Sequence, residues 1–266
     1  MKLSIIIVNW NTKDLLRDCI KSIISSKPKI SYEIIIVDNG STDGSIEMIE
    51  KMKNILLLKN NRNLGFAKAN NQGMKKAKGD YIFLLNSDTK IKEDAIDEMY
   101  EFAESTLDAG VVGARLLNAD GSIQPSCFHF PTILNVIKQY WFGAKGLTDK
   151  YFPKGNKPSL VDIVVGAAFL ITPRARKNVG LLDEGYFFFF EDFDYCRRVN
   201  RSGLKTYYLP TAEIVHYHGS TVRKIVDNNN AWRNLIPGSK RYHGLIGHYI
   251  YNFILWSAQK VSNLLS

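Results

Sequence analysis

The sequence predicts an α/β fold with a Rossmann-like, mostly parallel central sheet, helices on its faces and a helical tail at its C-terminal end. Three observations carry this expectation. Short apolar runs of strand length recur at residues 3–10 (LSIIIVNW), 32–37, 55–58 and 80–85, and the first, nearly continuous, marks a strand buried on both faces. Stretches of helical period alternate with them, the pattern of βαβ units. Polar residues gather just after each run, where open α/β sheets bind ligands.

Each element has its own justification. After the first run, Asn11 or Thr12 can cap a helix whose apolar stripe is Leu15, Leu16, Cys19, Ile20, Ile23 and Ile24. The second run ends in DNGSTDGS at residues 38–45, and the third leads to NLGFAKANNQG at 63–73, a glycine-hinged helix start. The fourth ends in Asn86-Ser87-Asp88-Thr89. Residues 111–117 read as a strand, with Asn118-Ala119-Asp120-Gly121 as a hairpin turn into 122–126. Residues 128–158 are rich in aromatics, Lys and Gly without a clean period, and read as a mobile acceptor-side segment with one short helix. Residues 161–172 read as one long strand, in which Gly166, Ala167 and Ala168 leave room for a close approach. Pro173 opens a short helix that Gly180 ends. Residues 204–209 and 212–217 are two further strands, the second ending in His216-Tyr217-His218, with Arg223 and Lys224 close behind.

The stretch that concentrates the chemistry is LDEGYFFFFEDFDYCRRVNR, residues 182–201. A strand-like aromatic block, 187–190, runs straight into Glu191, Asp192 and Asp194. Phe193, Tyr195, Cys196 and Val199 then mark a helix, and Gly203 stands at its C-terminal cap. Acids at a helix start are favoured by capping and the dipole. Three of them behind four consecutive Phe residues exceed that need and point to a general base in an apolar pocket.

Composition narrows the classes. The 266 residues carry 45% hydrophobic and 23% charged side chains, ordinary for a globular protein. Three scattered cysteines form no CxxC pair, which argues against a disulfide framework or a zinc ribbon. The first strand begins almost at Met1, so a cytoplasmic protein without a signal peptide is expected. The net charge of +9 calls for an anionic partner. Nucleic acid is not expected, because the basic residues are dispersed and no nucleic-acid motif is present. Neither GxGxxG nor GxxxxGK[ST] occurs, so the sheet must hold its ligand without a dinucleotide fingerprint or a P-loop.

Six motifs in order, SIIIVNWN, EIIIVDNGSTDGS, NRNLGFAKANNQG, FLLNSD, GAAFLITPRA and FFFFEDFDYCRRVNRSGLKTYYLPTAEIVHYHGS, give the chain a resemblance to the inverting glycosyltransferases of family 2, with the GT-A fold. It runs from residue 1 to about 225 and is strongest toward rhamnosyltransferase-like members that build cell-surface polysaccharides. The resemblance implies that Val8 and Asn9 line the nucleotide pocket and that Asp38 bonds the pyrimidine base. It places Asn63, Gly65 and Lys68 along the ribose and diphosphate. Asn86-Ser87-Asp88 takes the place of the DxD motif, with Asp88 and either His216 or His218 as ligands of a divalent metal, Mn²⁺ or Mg²⁺. Asp192, beside Glu191, takes the place of the base, and Gly166, Phe190 and Asp194 lie on the acceptor side. Asn86 departs from the motif's usual Asp and removes one charge.

The implied reaction moves a sugar from a nucleotide-diphosphate donor, dTDP-rhamnose or a UDP-hexose, to a hydroxyl of a glycan or polyprenyl-linked acceptor. A sugar-phosphate nucleotidyltransferase would need a Gly-rich basic loop where VNWNTKDLL stands. A non-catalytic nucleotide-sugar-binding module has only Asn86 in its favour. The expected organisation is one domain over 1–239, with a nucleotide half to 115 and an acceptor half from 116, and a tail over 240–266. The tail's broad apolar face, flanked by Lys240, Arg241, His243 and Lys260, suits docking on its own domain, a homodimer partner or the anionic inner face of the plasma membrane.

Overall fold

The computed structural model describes residues 1–217, 233 and 235–265. His218, Arg223, Lys224 and Ser266 lie outside the described residues. The chain starts with β1 (Leu3–Asn9), α1 (Lys13–Ser25), β2 (Tyr32–Asp38), α2 (Ser45–Glu50), β3 (Ile55–Lys59), α3 (Phe66–Lys76) and β4 (Tyr81–Asn86). Strands β1, β2, β3 and β4 are parallel, in the order β3-β2-β1-β4. Alternate residues of β1 enter different cores: Ile5 and Ile7 join α1 on one face, and Ile6 meets Ala67, Ala69 and Met74 of α3 on the other. That two-sided burial is why the run has no polar alternation. Ile24 departs from the expected stripe and is exposed. Leu16, Cys19, Ile20 and Ile23 already cover the sheet, and the next residue turns about 100° away.

The chain continues with β5 (Thr89–Ile91), α4 (Ala95–Ser105), β6 (Ala109–Leu117), β7 (Ile123–Gln124), β8 (Cys127–Phe128) and α5 (Ile133–Phe142). Next come β9 (Ser159–Val161), β10 (Ile163–Val164), β11 (Ala168–Ile171), α6 (Pro173–Val179), α7 (Glu191–Arg201), β12 (Lys205–His216) and α8 (Leu235–Leu265). The sheet extends as β4-β11-β6-β12-β5, with β11 antiparallel to both β4 and β6. Residue 115 falls inside β6, so the two halves share one sheet.

Three sequence expectations are corrected. Residues 161–172 form three strands: β9 pairs with β12, β10 with β8 in a separate two-stranded sheet, and β11 with the main sheet. Asp162 bends the chain, its Oδ2 accepting from the Phe130 backbone N–H at 3.0 Å. The two strands expected over 204–217 are one, because a register shift between Leu209 and Glu213 absorbs Pro210 without ending the pairing. The 187–190 block is not a strand. Phe189 and Phe190 have φ of 70° and 72°, and the segment crosses over the sheet's C-terminal edge, where the Phe187 carbonyl accepts from the Phe66 N–H at 2.8 Å.

The end of α7 follows expectation. Gly203, at φ 84°, lets Leu204 N–H reach the Val199 carbonyl and its own N–H reach that of Asn200, at 3.2 and 3.1 Å, a Schellman closure. Cys19, Cys127 and Cys196 are all buried and unpaired.

Candidate active site

A cavity of about 490 Å³ opens at the C-terminal edge of the sheet. Of the residues singled out by sequence, Val8, Asn63, Gly65, Asn86, Ser87, Asp88, Gly166, Phe190, Glu191, Asp192 and His216 all line it. Asn9, Asp38, Lys68 and Asp194 do not. Asp38 lies beneath the floor, its carboxylate oxygens accepting from Asn9 Nδ2 and Ser41 N–H, both at 2.9 Å. Lys68 is exposed on the first turns of α3. Asp194 is spent on its own helix, bonding Arg197 at 3.0 Å and Arg198 at 2.7 Å.

The Asp192 end is built by two segments. Phe190, in the left-handed region, turns the chain so that α7 starts with its acids toward the cavity. Asp192 Oδ2 accepts from the Gly166 N–H at 3.0 Å and Oδ1 from the Phe193 N–H at 2.9 Å. Burial raises the Asp192 carboxyl above its ordinary range, while those two N–H groups and the charge of Lys150 hold it down. Glu191 is buried with Oε2 unpartnered by protein; burial first and the Asp192 charge second push it well up. Asp192 thus has two backbone donors and Lys150 favouring its charged form, whereas burial and the Asp192 charge both favour the neutral form of Glu191. Lys150, from the irregular segment after α5, lines the same end, its ammonium 5.6 Å from the Phe128 ring centre.

The opposite end is set by β12. Its terminal residue pairs with Thr89, and the Tyr217 N–H reaches the Asp88 carbonyl at 2.9 Å. His216 Nε2 therefore stands 3.3 Å from Asp88 Oδ1, both side chains buried. Gln124 Nε2 donates to Asn118 Oδ1 at 2.8 Å, so its Oε1 faces His216 Nδ1 at 2.7 Å. An amide oxygen only accepts, so Nδ1 carries the proton and Nε2 presents its lone pair toward Asp88 and Asn86.

The pair fits a divalent cation. Two ligands at about 2.1 Å in adjacent positions stand about 3 Å apart, close to the observed separation, and carboxylate oxygen with imidazole nitrogen suits Mn²⁺. Among the described residues no third His, Cys, Asp or Glu joins them, which leaves further coordination to a ligand's oxygens and water.

Sequence reasoning missed Gln124, Lys150 and Asn39. Asn39 follows Asp38 directly and could have been found: its side chain spaces the loop by donating to Asn63 Oδ1 at 2.9 Å and accepting from the Leu64 N–H at 3.1 Å. Gln124 carries no local signal, because only the β6–β7 hairpin brings it to His216.

Residues 4–158 match the family model described as glycosyl transferase family 2. The chain belongs to that family. It is a glycosyltransferase, which removes the nucleotidyltransferase and binding-module alternatives. It is similar to the N-acetylglucosaminyl-diphospho-decaprenol L-rhamnosyltransferase of Mycobacterium tuberculosis, 26% identical over 234 residues, covering 75% of this chain and 76% of that one. Among solved structures it is similar to GalNAc-T7 with UDP, GalNAc and Mn²⁺, with a TM-score of 0.64, 17% identity and coverage of 81% of this chain and 44% of that one. The mannosyltransferase PcManGT of Pyrobaculum calidifontis, with GDP-Man and Mn²⁺, gives a TM-score of 0.61 at 15% identity, covering 95% of this chain and 64% of that one. The chain thus spans less than two thirds of either structure, and the shared fold is GT-A.

Proposed function

We propose that this glycosyltransferase inverts the anomeric carbon of a nucleotide-diphosphate sugar in a single displacement, with Asp192 as general base. One observation carries the reading: a single cavity holds a backbone-stabilised Asp192 at one end and the Asp88–His216 pair at the other. Asp192 removes the proton from an acceptor hydroxyl, and that oxygen attacks the anomeric carbon from the face opposite the diphosphate. The bond to the diphosphate breaks with its electron pair leaving on the phosphate oxygen. A nucleoside diphosphate is a good leaving group, so no second carboxylic acid has to protonate it.

Val8, Asn63 and Gly65 line the nucleotide end, framed from beneath by Asn9 and Asp38, while Lys68 and the start of α3 favour the diphosphate. Asp88 and His216 hold the divalent cation, Mn²⁺ or Mg²⁺, which when bound offsets the charge developing on the departing diphosphate. Asn86, an amide in place of an acid, bonds the ribose or a water. Glu191, protonated, donates to an acceptor or sugar oxygen. Gly166 and Phe190 shape the acceptor side, and Asp194 acts on the site only by fixing the start of α7.

The name of the mycobacterial relative favours rhamnose and a polyprenyl-diphosphate-linked sugar as acceptor; the family resemblance favours dTDP as its carrier, with UDP-hexoses as the second choice. The experiment is a donor panel measured by calorimetry and turnover, with and without Mn²⁺, with the product's anomeric configuration read by NMR. Consumption of one donor with inversion is expected. Retention of configuration would overturn the single displacement.

A further inference from the structure

Helices α5 and α8 pack on each other, and both carry large apolar side chains on the surface turned away from the domain. Gly244, at φ 73°, breaks α8, and beyond it the packed face is His248, Ile254 and Ala258, with Tyr251 reaching the cavity. At 3.6 residues per turn the opposite face is the one holding Leu245, Ile246, Tyr249, Ile250, Phe253 and Trp256. These are exposed, Ile246 by 76%, Phe253 by 63% and Trp256 by 57%. The neighbouring helix adds Leu134, Tyr140, Trp141 and Phe142, the last 79% exposed. A continuous apolar surface of this size on two adjacent helices is an interaction site.

Charge identifies the occupant. Neither helix contains an Asp or Glu, whereas Lys138, Lys240 and Lys260 lie on them; Arg241 is held by Asp183 at 2.8 Å. A second copy meeting this face in an isologous dimer would bring like charges together. An anionic bilayer offers the opposite charge to the lysines and a hydrocarbon boundary to the rings, with Trp and Tyr at the depth they favour. No described helix is long and apolar enough to cross a membrane, so the contact is one that lies on the surface.

We propose that the joint face of α5 and α8 docks this enzyme onto an anionic phospholipid bilayer. Leu235 and Tyr251 of α8 and Pro131, just before α5, line the cavity, so the helices that carry the docking face on one side border the acceptor end on the other. The polar side of that end carries Lys150, a cation suited to the phosphates of a lipid carrier. The proposal rests on the lipid-linked acceptor for its purpose but not for its test, because vesicle binding is read without turnover.

The full chain is floated with vesicles of phosphatidylcholine alone or with about one third phosphatidylglycerol, alongside the variants Trp141→Ser/Phe142→Ser on α5 and Ile246→Ser/Phe253→Ser on α8. The wild type is expected to float with the anionic vesicles, less so at high salt, and each double variant to bind roughly tenfold more weakly. Donor hydrolysis and thermal melting, measured in parallel, should match the wild type, since the altered side chains are exposed. Equal binding to neutral vesicles, wild-type binding by the α5 variant, or no flotation at all would overturn the proposal. So would a dimer in sedimentation velocity that the variants dissolve while flotation is absent, which would assign the face to a second copy. Failure of hydrolysis with intact flotation would count against the transferase reading alone.

Discussion

Replacing Asp192 by Asn keeps the shape of the side chain and removes its charge. In the wild type the two carboxylate oxygens each accept one backbone N–H, from Gly166 at 3.0 Å and from Phe193 at 2.9 Å. An amide has only one oxygen, so one N–H must face the new NH₂ group, which forfeits a hydrogen bond at a cost of about 1–3 kcal/mol. Removing a buried charge offsets part of this, so the fold should survive with a small drop in melting temperature. Activity should fall much further, because an amide takes no proton: a general base contributes about 10²–10⁴-fold, or roughly 3–5 kcal/mol of barrier. Calorimetry of donor and Mn²⁺ separates the effects, since the Asp88–His216 end is untouched and donor affinity should stay within about threefold. The wild-type rate should also decline as pH falls through the raised range of Asp192, with the decline absent from the residual rate of the variant. Turnover within about threefold of wild type, with donor affinity retained, would refute the assignment of the base.

Three further outcomes follow from neighbouring residues. Because the folded-state Glu191 carboxyl titrates above its ordinary value, its contribution to stability is full below the ordinary Glu range and is lost as pH rises through the raised one. Glu191→Gln should therefore melt with less alkaline loss than wild type, by pH-dependent calorimetry; parallel curves would contradict its burial as an acid. Gln124→Leu removes the acceptor that holds His216 Nδ1–H and should weaken Mn²⁺ dependence of turnover by about 10–100-fold without changing saturation by donor at excess metal. Gly65→Ala puts a Cβ 2.6 Å from the Phe187 carbonyl at a φ of +87°, and should cost about 1–3 kcal/mol with weakened donor binding; an unaltered melt would mean that the aromatic segment moves freely.

The nucleotide half was legible because its physics is local. Strands buried on both faces, such as β1, show as unbroken apolar runs; Asp38 and Asn86 end β2 and β4 as the first polar residues, and Gly65 stands just before α3. The Gly180 and Gly203 helix stops read equally well, since positive φ leaves its mark on residue type. What failed was partner choice. Residues 163–171 are apolar or glycine because β10 and β11 are both buried, but composition does not say that they belong to different sheets. The Phe block is apolar enough for a strand, yet its rings serve as a wall: Phe190 packs on Phe193 and Tyr242 with centroids 5.2 and 5.6 Å apart. Gln124 and Lys150 gain their roles only through long-range pairing.

The antiparallel strand β11 explains why both ends of the cavity depend on one place in the sheet. Running against β4, it brings its start to the end of β4, where the Asn86 N–H donates to the Ala167 carbonyl at 3.0 Å. The next residue back, Gly166, holds Asp192, and the next residues forward from Asn86 lead to Asp88. Asp192 and the Asp88–His216 pair are thereby referenced to a single stretch of backbone rather than to two separate segments. Gly166 has Phe66 atoms 3.5 Å and Asp192 Cβ 3.9 Å from where a Cβ would stand, so a methyl there fits. A larger side chain would push the base and the aromatic wall away together. Such a substitution should impair acceptor turnover while leaving Mn²⁺ affinity at the β12 end intact, the split expected when one strand carries two functions through separate residues.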